Sequence, residues 1–127
     1  MFYSKSKEKI IFIDEHLAGA KMSIARYQMS SQNYIGAIKN LNEVINRYHG
    51  TNQIFEAYYR LTEIYFHIGM KDEIIDVINI LKELDPTNYW TIESLKFGPK
   101  PKQTSKLRIF SKYLKGQSLL NDSLLQE

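Results

Sequence analysis

Cysteine is absent from all 127 residues, which excludes a disulfide, a thiolate metal site and a lipid-anchored cysteine within this chain. Long apolar runs are missing as well, and none approaches the roughly 20 residues needed to span a bilayer. The first residues, Met1 to Lys9, are polar and lysine-rich with no long apolar segment behind them, so no secretory signal peptide is expected in this chain. The motifs of catalysis are missing too: there is no Gly-rich phosphate loop, no nucleophile elbow and no Cys/His pair. Asp14-Glu15 and Asp72-Glu73 are adjacent acids that point in different directions around a helix, so neither pair converges as an acid/base couple. The three histidines, His16, His49 and His67, lack the spacing of a metal site such as HExxH. The expectation is a chain that is not an enzyme and that uses no cofactor and no metal.

What is present is an ordinary globular composition, 43% hydrophobic and 24% charged, with its charge unevenly placed. Residues 1–94 carry 10 Lys and Arg against 12 Asp and Glu, a balance of −2, whereas residues 95–127 carry 7 against 2, a balance of +5. Basicity therefore belongs to the tail. Because the remainder is net acidic and shows no RNA-binding or helix-turn-helix pattern, nucleic acid is not an expected partner. Gly98-Pro99-Lys100-Pro101-Lys102 joins a flexible residue to two prolines that cannot continue a helix, which sets the expected division there: a repeat domain over 1–95 and a basic tail over 96–127.

A 37-residue echo organises the first part. The helix-pair pattern around Ala25, Ala37, Leu41 and Val44 recurs around Thr62, Ile74, Ile78 and Leu81, and self-similarity of this period marks helical repeats. The second copy, Tyr58, Leu61, Tyr65, Gly69, Ile74, Ile78, Leu81 and Pro86, resembles a tetratricopeptide (TPR) repeat, with proline ending its second helix.

Periodicity predicts four helices. The first runs from about Ser6 to about Ser30 with Ile10, Ile13, Leu17, Ala20, Ile24 and Tyr27 on one face and Ala18, Met22, Ala25 and Met29 on another, so it should have neighbours on both sides. After Ser31-Gln32-Asn33, a second helix over 34–48 carries Ala37, Ile38, Leu41, Val44 and Ile45, and the short turn makes the pair an antiparallel hairpin. Gly50 suits the left-handed cap that follows it. The third helix, 53–68, has an inner stripe of Ile54, Tyr58, Leu61, Tyr65 and Ile68 and a second face of Phe55, Tyr59, Thr62 and Phe66, as expected for a helix sandwiched between repeats. The fourth starts near Lys71 with Asp72, Glu73 and Asp76 where the helix dipole favours acids, and it should bury Ile74, Val77, Ile78, Leu81 and Leu84. The fold class is thus all-α: a TPR-like superhelix of two stacked hairpins plus a basic tail.

The run Lys9-Ile10-Ile11-Phe12-Ile13-Asp14-Glu15-His16-Leu17-Ala18, continued by Ile24-Ala25-Arg26-Tyr27, Ala37-Ile38 and Val44-Ile45-Asn46-Arg47-Tyr48 with Gly50-Thr51, resembles the carboxy-terminal half of the BamD (ComL) family. Glu56-Ala57, Glu63-Ile64-Tyr65 and Ile68-Gly69-Met70 extend the resemblance over roughly residues 3–90. Those proteins are TPR lipoproteins of the outer membrane β-barrel assembly machinery, the Bam complex. The resemblance implies a non-catalytic interaction scaffold whose partner is a periplasmic POTRA domain of the barrel-forming subunit BamA, on the periplasmic side of the outer membrane. Basic family positions that face BamA correspond here to Lys9 and to His16, where the family favours arginine. Read without the resemblance, His16 is a solvated or partly buried helix residue. Without a signal peptide, a lipidation cysteine or the amino-terminal repeats, the chain is expected to be a fragment, a truncated product or a split partner of such a protein. Taken without the resemblance, the same lack of an export signal points to the cytoplasm.

The alternative is a generic TPR adaptor that holds a peptide or partner helix in its groove. In the tail, Leu107, Phe110 and Leu114 recur at helical spacing among Lys106, Arg108, Lys112 and Lys115, so residues 104–115 suit a short basic amphipathic helix that contacts a membrane surface or an acidic partner. An unstructured tail, or one folded back on the repeats, is the competing reading. With so few repeats, exposed apolar ends call for a second copy or a partner to cover them.

Small residues at Ala25 and Ala37 fit a hairpin whose helices approach to roughly 8–10 Å. Ala37→Phe is expected to overpack that crossing and to destabilise the chain by about 1–3 kcal/mol. Thermal denaturation checks this, and an unchanged midpoint would exclude the hairpin register.

Overall fold

The computed structural model describes the backbone of residues 2–100 and side chains from residue 6 onward. It is all-α among those residues: α1 spans Phe2–Ser30, α2 Tyr34–Arg47, α3 Gln53–Ile68, α4 Lys71–Leu84 and α5 Tyr89–Ser94, followed by a 3-10 turn at Leu95–Phe97. The two expected hairpins, α1–α2 and α3–α4, are present, with α3 against α1, α2, α4 and α5. The proposed tail helix at 104–115 lies outside the described residues.

Each turn has a local cause. Asn33 caps α2 by accepting from the Gly36 N–H at 3.1 Å, and Gln32 ahead of it takes a positive φ of 62°. Gly69 ends α3 in the left-handed conformation, φ 80°, where any side chain would be strained. Gly50 does not adopt that conformation, contrary to the sequence expectation. Thr51 closes this turn instead: both its N–H and its hydroxyl donate to the Tyr48 carbonyl, at 3.0 and 2.7 Å, so no left-handed residue is needed. Beyond α4, Asp85 accepts from the Thr87 hydroxyl at 2.7 Å and the Thr87 N–H at 2.9 Å, and these bonds hold its carboxyl below the ordinary carboxylate range.

All eight residues of the 37-residue echo are buried. Ala18, Met22, Ala25, Ala37, Leu41, Val44, Ala57, Leu61 and Ile64 form one apolar cluster where α1, α2 and α3 meet. Ile74, Val77, Ile78 and Leu81 bury the inner face of α4, whereas Leu84, expected among them, is 48% exposed because it sits at the edge of that stripe in the last turn. Ile68 and Phe66 of α3 are likewise exposed near its end.

The short α5 is an addition to the four helices read from the sequence. It presses Trp90 against Tyr59, with ring centroids 5.0 Å apart, and buries Thr91 and Ser94, which stand 37 residues after Ile54 and Ala57. Their hydroxyls are satisfied by backbone carbonyls, Thr91 donating to Leu81 and Ser94 to Thr91. α5 thus occupies the place where a third repeat would start.

Polar ties fix the hairpins to each other. Glu15 of α1 accepts from the Asn52 N–H at 2.6 Å and so ties α1 to the start of α3. Arg26 donates to both oxygens of the buried Glu56, at 2.9 and 2.8 Å, while Arg60 reaches Glu56 at 3.4 Å and Glu63 at 2.6 Å. Glu56→Ala is therefore expected to destabilise the fold by about 1–2 kcal/mol in urea denaturation, discounted for the partial exposure of Arg26. The double variant with Arg26→Ala should lose less than the sum of the two singles. Acidification provides a second check. A depressed carboxyl contributes stability above its unfolded value, here the ordinary 3.8, and loses that contribution as pH falls through the lower folded value. The stability gap between the native chain and Asp85→Ala should accordingly narrow below that pH.

Candidate partner-docking surface

α1 carries two apolar stripes, and α2 and α3 cover only one. Ala18, Met22 and Ala25 face inward with no exposed surface. On the opposite side Ile13 is 53% exposed, Ile24 48% and Tyr27 73%, with Leu17 and Phe12 also open to solvent. Helix geometry places Phe12, Ile13, Leu17, Ala20, Ile24 and Tyr27 on one side of the cylinder, running for about 20 Å along its axis. The expected neighbours on both faces are therefore found on one face only among the described residues.

The repeat register gives this stripe its meaning. Leu17, Ala20, Ile24 and Tyr27 stand one period before Ile54, Ala57, Leu61 and Ile64. The latter four are all buried, and Ala57, Leu61 and Ile64 belong to the cluster that α3 shares with the first hairpin. The first repeat thus exposes the same positions that the second repeat uses to stack.

Lys9 and His16, expected from the sequence resemblance to meet a partner, lie on this side of α1 and are exposed. The His16 ring lies over Phe12, centroids 5.1 Å apart, so it forms part of the apolar stripe's edge. Lys9 supplies a cation beside Ile13. His49 sits in the exposed turn after α2, and His67 stacks on Tyr34 at 6.0 Å, far along the chain from the stripe. Among the described residues no group of three His, Cys, Asp or Glu is placed to hold a metal ion.

A second concavity, about 280 Å³, is lined by Arg26, Tyr34, Arg60, Glu63 and His67. Its two guanidiniums are already engaged by Glu56 and Glu63, so the charge inside it is largely compensated. Sequence reasoning missed this network, since nothing in the pattern of α3 marks Glu56 as buried. Among the described residues, no helix is long and apolar enough to cross a membrane.

The family described as YfiO, outer membrane lipoprotein, matches residues 1–79, which include the whole α1 stripe. The outer membrane protein assembly factor BamD of Rickettsia prowazekii (strain Madrid E) is 36% identical over 85 residues, covering 67% of this chain and 34% of that protein. The BamD protein of Caulobacter vibrioides is 27% identical over 95 residues, covering 75% and 31%. The chain thus spans about a third of the length of these curated relatives. No solved structure matches it. A TPR-like pair of hairpins, the BamD-like run through α1 and a family match over most of the described residues agree, and the chain belongs to the YfiO/BamD family of outer membrane lipoproteins.

Proposed function

We propose that this chain is a non-catalytic docking module of outer membrane protein assembly, presenting the outer stripe of α1 to a protein partner, the POTRA region of BamA. One observation carries the reading: Leu17, Ala20, Ile24 and Tyr27 are exposed in α1, while their register equivalents in α3 are buried against another hairpin. A stripe of this composition on a folded domain is stable in water only at a hydrophobic cost, which a partner removes by covering it. Ala20 at its centre leaves room for a partner backbone to approach, and the larger residues around it provide area. Lys9 and His16 flank the stripe and set orientation by pairing with acidic or acceptor groups across the interface. The relatives, both outer membrane protein assembly factors, support this class of role, and the family description as outer membrane lipoproteins supports a position at that membrane, which we read as its periplasmic side.

Isothermal titration calorimetry of the purified chain against the cognate BamA POTRA region tests the reading. The native chain should bind with micromolar or tighter affinity. Ala20→Glu/Ile24→Glu and Lys9→Glu/His16→Glu, all at exposed positions, should each weaken binding at least tenfold, about 1.4 kcal/mol, with helicity unchanged. No binding by a well-folded native chain would leave a generic TPR adaptor as the better account, and undiminished binding by both variants would move the interface off α1.

A further inference from the structure

We propose that residues 104–115 of the tail dock as an amphipathic helix into an apolar groove between α4 and Phe97–Pro99, closing the open end of the last repeat. The groove consists of two hollows, about 460 and 140 Å³, on either side of the chain at Gly98–Pro99 and sharing Ile75. Phe66, Ile74 and Phe97 line the larger hollow, and Ile78 and Leu95 the smaller. Phe66, Ile75 and Leu95 are left exposed there although α5 covers the neighbouring Tyr59. α5, six residues long, covers only part of the apolar face that the second hairpin presents on this side.

Three observations select the tail as occupant. The first is position. The Gly98 backbone lies so close to α4 that a Cβ there would meet Ile78 Cδ1 at 3.1 Å, and residues 101–127 therefore start at the lip of the groove. Three linking residues reach at most about 10 Å, which keeps residue 104 beside it. The second is fit. Twelve helical residues measure about 18 Å against about 21 Å for the fourteen of α4. Leu107, Phe110 and Leu114 then offer one apolar face to the groove. The third is charge. Residues 104–115 contain Lys106, Arg108, Lys112 and Lys115 and no acid, whereas α4 carries four acids against Lys71 and Lys82. Asp72, Asp76 and Glu83 share one exposed stripe of α4 beside Ile75, and no ion pair among the described residues uses them.

A helix this short is marginal in water alone, so it needs a surface, and a tethered surface acts at millimolar effective concentration. An anionic membrane offers the same chemistry, but the groove begins where the tail begins, and Asp72 in its lining continues along α4 into the exposed acids Asp76 and Glu83, with Lys71 and Lys82 at the two ends of that helix.

Hydrogen exchange on the full chain provides the test. Amides of residues 107–114 should exchange at least about tenfold more slowly than in a free peptide of residues 101–127. Asp72→Lys/Asp76→Lys should abolish that protection while leaving α3 protected. Because the chain has no cysteine, Ile75→Cys/Phe110→Cys should form an intramolecular disulfide at any protein concentration, and Tyr27→Cys/Phe110→Cys should not. Free-peptide exchange rates in the full chain, protection that arises only on adding phosphatidylglycerol vesicles, or equal cross-linking at both cysteine pairs would each overturn the proposal.

Discussion

The close approach of α1, α2 and α3 through alanine governs this structure. Ala18 and Ala25 of α1, Ala37 of α2 and Ala57 of α3 are all without exposed surface. A methyl side chain at a crossing lets two helix backbones come together, and the larger Met22, Leu41 and Ile64 then fill the space above and below it. Once α1 is held this way its rotation is fixed. That rotation allows Arg26 to reach Glu56 and Glu15 to reach the start of α3, and it turns the Ile13 to Tyr27 stripe away from the core.

The proposed docking surface is thus a by-product of how the core is built. Meeting α2 and α3 on its alanine side, α1 has no neighbour on its isoleucine side among the described residues, and in the repeat register the equivalent positions of α3 form a stacking face. Among the described residues the array is open at both ends in this sense. At α1 a stripe is left exposed, while on the second hairpin the short α5 and Phe97 close part of the surface by packing Trp90 and Phe97 on Tyr59 and Phe66 of α3. The ion network between the hairpins stiffens their stacking without offering a charged site, since its arginines and glutamates compensate one another.

Much of this was legible in the residues. The bounds of α3 and α4 and the start of α2 follow from periodicity and turn chemistry, because each helix has a strong apolar stripe bounded by Asn33, Gly69 or Pro86. α5 was not legible: six residues are too few to display a helical period, and Thr91 and Ser94 look like solvated hydroxyls until Leu81 and Thr91 supply their acceptors. Gly50 misled because a glycine after a helix ordinarily caps it, whereas here Thr51 closes the turn by donating to the Tyr48 carbonyl. The candidate site was visible in part. Lys9, His16 and both stripes of α1 could be named from sequence, but the burial of Glu56 depends on Arg26, thirty residues away.

By itself the sequence determined the four long helices, their pairing into hairpins at a 37-residue period and the presence of two apolar faces on α1. Those properties are local, set by side-chain spacing around a single helix axis. Only the tertiary structure decided which face of α1 is buried. Periodicity marks apolar residues on either side of a helix alike, and the choice between them rests on steric fit: the alanine face lets α2 and α3 close in, and the bulkier isoleucine and tyrosine face does not.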